Sequence, residues 1–326
     1  MAINVVQETP LLTAGLQATF ANTYAKSYRS SVEKVSRVVQ LGLPATARTV
    51  PLGYNETAPY PQFWDYGEEI PEGNFNSVGY SVTIRRWAHR VKWNHDDRID
   101  EQTNTLKQRV LQLAEHYGTL HERIAFQLIR GNADPKLLPA VPNAPDGAAF
   151  FATTAGGVAR FGVTSGNLLT GNGVNDVASI QRDYYRALQQ WLLQTDPQGE
   201  PLHQPEEVEG GILVIAGASV KESFERAFYG TIQQGVAAGL SNILKDAGKN
   251  FDLWFTPRIP DNDWFLFLTG SELKPIGQFT MEDLMTTEAD WSNSDFARTN
   301  DIEYFQAKAR YGYVINLPYQ AMEINN

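Results

Sequence analysis

Apolar positions along the chain change period several times, and each change marks an element. Leu12, Leu16, Phe20 and Tyr24 recur every four residues, which predicts a helix over about 13–26. Past Tyr28 the chain turns polar and then strand-like at Val35–Leu41, so the first 50 residues read as an extended arm. Residues 51–80 lose periodicity and are punctuated by Pro and Gly (Pro51, Gly53, Pro59, Pro61, Gly67, Pro71, Gly73, Gly79), with Phe63, Trp64 and Tyr66 among them. A structureless loop of this length is unusual inside a compact domain and makes sense as an element lying on a neighbour. The strand that follows, Ser81–Trp93, changes parity midway: Val82 and Ile84 share one face, whereas Trp87, Val91 and Trp93 lie on the other. One register cannot bury both sets, so the strand is expected to leave the projection and enter the main body near Arg85–Arg86. Leu106, Val110, Leu113, Tyr117, Leu120, Ile124 and Leu128 then recur at spacings of three and four, predicting one long helix over 101–130, capped by Asp100 and ended by Gly131.

Beyond Gly131 the pattern is mixed. A Pro/Gly/Ala/Asn-rich stretch over 134–173 precedes a helix at about 174–195 with Val177, Ile180, Tyr184, Leu188 and Trp191 on its apolar face. After a Pro/Glu linker, the wholly apolar run Ile212–Ala216 reads as a buried strand. Helices are expected at about 218–229 and 231–247, and strands at 251–256, 263–269 and 309–316. Helices and strands mix without a βαβ rhythm, which places the chain in the α+β class.

Charge sharpens this picture. The chain has 326 residues, a net charge of −10 and no cysteine, so disulfides, thiolate metal sites and Cys nucleophiles are excluded. No apolar run approaches the ~20 residues that span a bilayer. Residues 1–50 carry Lys26, Arg29, Lys34, Arg37 and Arg48 against Glu8 and Glu33, whereas residues 51–80 carry Glu56, Asp65, Glu68, Glu69 and Glu72 with no Lys or Arg. The plain reading is two solvated surfaces. The sharper one is that the basic arm of one copy meets the acidic projection of another, with Lys26, Arg29, Lys34 and Arg37 facing Phe63, Trp64, Tyr66, Glu68, Glu69 and Glu72.

Candidate chemistry does not assemble into a catalytic set. His116 and His121 are five apart, not the four a zinc-protease helix needs. His95, Asp96 and Asp97 sit at a strand-to-helix junction and read as a cap rather than a metal site. The glycines of 156–173 lack the Gly-Lys-Ser/Thr ending of a phosphate loop, and no G-x-S-x-G elbow is present. The carboxylates Glu282, Asp283, Glu288, Asp290, Asp295, Asp301 and Glu303 read as a solvated acidic face. No catalytic, metal or cofactor site is expected, and the chain is not read as an enzyme.

A set of weak motifs in a specific order carries a resemblance. The order arm, projecting loop, long helix is followed by Asp146-Gly-Ala-Ala-Phe-Phe151 and Ser165-Gly-Asn167, then Gly211-Ile-Leu-Val-Ile215 before a helix. Asn250–Pro257 with Trp264–Leu268, and a tail Tyr304–Tyr313 ending Tyr-Gly-Tyr, complete it. Over about residues 12–325 the chain resembles the major capsid proteins of tailed bacteriophages, and within them the Mu-like major head subunit. It departs in reading Ala152-Thr-Thr where relatives carry His-Pro. The resemblance implies the tailed-phage capsid shell fold, with an N-terminal arm (1–50), an extended loop (51–95), a peripheral domain (96–170 and 276–326) built on a spine helix at 101–130, and an axial domain (171–275). It implies a structural subunit that associates with itself as hexamers and pentamers into an icosahedral head enclosing double-stranded DNA. A scaffolding protein, a portal and decoration proteins are its further partners, with no membrane, assembly in the host bacterial cytoplasm and residence in the virion.

Within that resemblance, Lys34, Arg37 and Arg48 are candidates for a weak, salt-sensitive DNA contact at the lumen. Residues 51–80 hold no Lys, so no isopeptide crosslink through the loop is expected, and the short run before the arm suggests a separate scaffold rather than a fused leader. An encapsulin-like compartment shell and a soluble α+β enzyme are the alternatives.

Overall fold

The computed structural model describes residues 5–57, 76–99, 105–230, 251–260 and 262–326, and all that follows concerns these. The acidic segment with Phe63, Trp64, Tyr66, Glu68, Glu69 and Glu72, the Asp100 cap and the helix expected at 231–247 lie outside them.

The chain opens with α1 (Val5–Val35), which is far longer than the helix expected at 13–26. Its buried face continues through Phe20, Ser31 and Val35, a stripe that the serines at 27 and 31 disguise in sequence. The arm is therefore no extended strap over these residues. It docks on its own chain, Phe20 against Phe305 at 5.2 Å and Tyr28 edge-on to His121 at 5.7 Å. Next come β1 (Val39–Pro44), β2 (Thr49–Thr57), β3 (Asn76–Thr83) and β4 (Arg85–Asn94). β2 and β3 pair only with each other, as an antiparallel ribbon. β4 instead enters a four-stranded sheet, and Ile84 marks the exchange.

The short α2 (His95–Ile99) precedes α3 (Thr105–Gly118) and α4 (Leu120–Ile129). The expected unbroken helix is thus two, parted at Thr119, which has φ −97° and ψ 5°. The reason is visible one residue earlier. A Cβ on Gly118 would stand 2.4 Å from the Cβ of Ser27, so α1 crosses the spine with its backbone against the Gly118 Cα. The 1→5 bonds still bridge the break, Thr119 N–H to Glu115 O at 3.0 Å and Arg123 N–H to Thr119 O at 3.0 Å. All seven residues of the expected stripe are buried. Gly131 at φ 63° ends the spine in a Schellman pair, Asn132 N–H to Gln127 O and Gly131 N–H to Leu128 O.

A hairpin of β5 (Thr154–Ala155) and β6 (Val158–Ala159) leads to β7 (Leu168–Thr170) and α5 (Val177–Leu193), which is capped by Asp176. Then follow α6 (Pro205–Glu209), β8 (Ile212–Gly217), α7 (Lys221–Tyr229), β9 (Phe251–Thr256) and β10 (Trp264–Leu268). The chain closes with β11 (Ile276–Ala289), α8 (Asp295–Asn300), β12 (Ile302–Ile315) and β13 (Ala321–Asn325). β11 escaped the sequence reading because its second half, Met281–Glu288, is acidic and only half-buried or exposed.

Two main sheets result, ordered β1-β11-β12-β4 and β7-β13-β10-β8-β9. β8 and β9 are parallel with α7 between them in sequence, so one βαβ-like unit is present where none was expected. β13 pairs with β10 and β7, so the second unit recruits the C-terminus and is not confined to 171–275. The five-stranded sheet is buried on both faces, as the apolar run of β8 implies. Leu213, Ile215, Phe265 and Phe267 join the core beneath α1, α3 and α4, while Ile212, Val214, Trp264 and Leu266 join the core under α5 and α7.

Candidate assembly surfaces

The ribbon begins at the pair Thr49↔Thr83 and runs to Thr57↔Asn76. Its root is held by the body. Val82 and Ile84 pack with Phe279 and Val314 in a small third core, and Tyr80 Oη donates to Asn316 Oδ1 at 3.1 Å. Gly312 lets the root come close, since a Cβ there would lie 2.7 Å from Ile84 Cδ1. Further out, Pro51, Gly53 and Gly79 are exposed, and Leu52 and Tyr54 are only half-buried. A two-stranded ribbon is marginal by itself. Tyr54 lines a cavity with Pro145, Phe161 and Pro318 of its own chain, whereas Pro51, Gly53 and Gly79 stay uncovered.

The β11–β12 hairpin, paired from Ile276↔Ile315 to Ala289↔Tyr304, is about 45 Å long and is flanked along its outer half by β4. Its far end carries α8, with Trp291 39% and Phe296 45% exposed. That end is braced by Glu303, which has no exposed surface. Trp93 Nε1 donates to Oε2 at 2.8 Å, the Trp291 N–H donates to Oε1 at 3.0 Å, and His95 Nδ1 lies 3.0 Å from Oε1. His95 also stacks on Trp291 at 4.7 Å. The solvated acidic face expected here is thus only partly real. Asp283, Asp295 and Asp301 are exposed, but Glu303 and Asp290 are buried braces, because the turn that closes the hairpin leaves backbone N–H groups needing acceptors.

The Asp146…Phe150-Phe151…Asn167 motif acquires a physical meaning. Arg160, 2% exposed, grips Asp146 through two parallel bonds (Nε to Oδ2 2.6 Å, Nη2 to Oδ1 3.0 Å) and donates from Nη1 to the carbonyls of Ala149 and Phe150. Asn167 completes the knot by donating to the Phe150 and Pro318 carbonyls and accepting from the Ala152 N–H. Phe150 and Phe151, stacked at 4.4 Å, are thereby fixed under the five-stranded sheet. Arg160 was missed in the sequence because a lone basic residue in a Gly-rich loop looks solvent-facing.

Lys26, Arg29 and Lys34 are exposed along α1, in keeping with an outward basic surface. Arg37 is exposed but already pairs with Asp252 of β9. Arg48 joins Arg85, Arg86 and Lys136 around a 610 Å³ cleft at the ribbon root. His116 is exposed and His121 buried, so they form no joint site. Burial holds His121 neutral, with its pKa lowered to about 4, and its Nδ1 lies 2.6 Å from Tyr313 Oη. Among the described residues no group of three or more His, Asp or Glu side chains is placed to hold a metal, and no helix is long and apolar enough to cross a membrane.

Against known proteins, the family model described as phage capsid protein matches residues 79–321, which is most of the chain. No curated protein matches it in sequence. Solved structures match along nearly its full length. The capsid of an empty GTA particle aligns with a TM-score of 0.57 at 12% identity, covering 91% of this chain and 90% of that one. The mature capsid of bacteriophage PhiM1 gives 0.53 at 11%, covering 89% and 86%. A virus-like particle from Pyrococcus furiosus gives 0.50 at 10%, covering 93% and 96%. At such identities the likeness establishes the fold, which is the capsid shell fold with its long spine, projecting ribbon and paired sheets. With a family match over three-quarters of its length and the capsid shell fold, the chain belongs to the phage capsid protein family and is a structural shell subunit rather than an enzyme.

Proposed function

We propose that this subunit is the major head protein of a tailed phage of the Mu-like type, arranged as hexamers and pentamers in an icosahedral shell around double-stranded DNA. In this reading, the unit built on α3, α4 and the four-stranded sheet is the peripheral domain. The unit built on α5, α7 and the five-stranded sheet is the axial domain at the capsomer centre. Scaffolding, portal and decoration proteins complete the assembly, which forms in the bacterial cytoplasm and ends in the virion. Lys34 is the strongest candidate for weak contact with packaged DNA, since Arg48 lines the cleft at the ribbon root. Arg37, engaged with Asp252, is the weaker of the three original candidates.

The observation that carries the reading is the partly uncovered ribbon. Among the described residues β2 and β3 pair with nothing else, and Pro51, Gly53 and Gly79 stay exposed. A neighbouring copy is the cover that a repeating shell supplies. The segment the ribbon presents carries Phe63, Trp64 and Tyr66 beside Glu68, Glu69 and Glu72. Exposed ion pairs contribute only ~0–1 kcal/mol each, so aromatic anchors should dominate that contact. Trp64→Ala should therefore lower the yield of closed particles more than Glu68→Gln/Glu69→Gln does, as measured by sedimentation of the expressed protein. The opposite ranking would contradict the assignment.

A further inference from the structure

The cleft at the ribbon root holds more positive charge than its own chain neutralises. Arg48, Arg85, Arg86 and Lys136 line its 610 Å³, together with Trp87 and Arg310. Arg310 is paired with Glu282 at 2.9 Å and stands opposite it in the β11–β12 ladder. On its other side Arg310 stands directly opposite Arg86 in the β4–β12 ladder. Like charges in that position destabilise a sheet. Glu282 serves Arg310, and no carboxylate pairs with Arg48, Arg85, Arg86 or Lys136 among the described residues. The cleft is of a size that takes a few side chains, not a macromolecular duplex.

We propose that this cleft is the receptor for the acidic segment 56–72 of a second copy of the chain. The segment carries Glu56, Asp65, Glu68, Glu69 and Glu72 and no Lys or Arg, so four unpaired cations meet five carboxylates. Its own copy is a poor donor. Eight residue steps of β2 separate Thr49 at the root from Thr57, which stands about 25 Å from the cleft of the same chain. Nucleic acid is a weaker candidate. The whole chain carries −10, a field that opposes a free polyanion, whereas a neighbour in a shell delivers its acidic segment at high effective concentration. The inference rests on the reading of the chain as a self-assembling subunit and names the surface that reads the ribbon. Copies would then be linked root to tip, each ribbon ending in the cleft where the next ribbon begins.

Charge exchange tests it. Arg85→Glu/Arg86→Glu should fold, because it places a carboxylate opposite Arg310. It should lower the fraction of subunits in closed particles about tenfold. Glu68→Arg/Glu69→Arg should do the same, and the combined variant should recover at least half of the wild-type yield. Wild-type yield from the cleft variant, or a combined variant no better than either parent, would overturn the proposal. Independently of assembly, a synthetic peptide of residues 56–72 should bind the wild-type chain and weaken about tenfold in Arg85→Gln/Arg86→Gln. It should also weaken as salt rises from about 50 to about 500 mM. A duplex oligonucleotide displacing the peptide at equal concentration would assign the cleft to nucleic acid instead and overturn the proposal. If the wild-type chain forms no particles while the peptide binds at the cleft, the shell reading fails and the receptor stands.

Discussion

At the scale of residues, buried His121 and half-buried Glu323 set opposite pH dependences. His121 is kept neutral, its pKa lowered to about 4 by burial, against the 6.5 expected when unfolded. Its contribution is complete above pH 6.5 and is lost as pH falls towards 4, a loss of about 3 kcal/mol. Melting temperature should fall over that window in the wild type, and less steeply in His121→Gln, which cannot take up the proton. Glu323 has its pKa raised to about 7, first by burial and then by Asp263. A raised carboxyl favours the folded state when protonated, so its contribution is complete below about pH 4.5 and fades as pH rises through 7. Glu323→Gln should raise the melting temperature at pH 8 and leave it unchanged at pH 4. The two groups sit in different parts of the molecule, Glu323 on β13 of the five-stranded sheet and His121 on the spine, so pH trims each part separately.

At the scale of elements, the spine shows what periodicity reveals and what it hides. The stripe from Leu106 to Leu128 told the helix, its buried face and its end at Gly131, because each depends on local sequence. It did not tell the break at Thr119, because that follows from the approach of α1 at Ser27, a partner distant in sequence. Gly118→Val should force the two helices apart and cost about 2 kcal/mol, read as a lower denaturant midpoint with α1 more open to proteolysis. A midpoint unchanged from wild type would mean that the crossing is looser than the structure shows. The parity change at Ile84 was likewise legible, since a strand that swaps faces must change partners. β11 was not, because its outer half is a solvent-facing strand of acidic and threonine residues with no apolar alternation to betray it. The length of α1 was concealed by serines that lie against the spine.

At the scale of the whole molecule, the fold was legible through the order of its motifs, and the reason for one of them emerged only in three dimensions. Asp146, Phe150, Phe151 and Asn167 belong together because Arg160 ties their backbone into one buried knot. The candidate contact surface was half legible. Charge separation between residues 1–50 and 51–80 pointed to complementary surfaces. The cations gathered without a carboxylate among the described residues, however, are those of the ribbon root, and Arg48, the Arg85–Arg86 pair and Lys136 fall in three segments that only folding brings together. Buried polar groups such as Glu303 and Arg160 brace loops. What remains on the outside are a ribbon with exposed positions and a basic cleft, features that become complete when copies associate.

The most direct measurement of that claim is electron microscopy of the purified full-length chain across a concentration series. The account predicts closed, uniform shells above a threshold concentration, with each ribbon resolved against an adjacent subunit. A monodisperse monomer at every concentration, with the ribbon folded onto its own body, would contradict it.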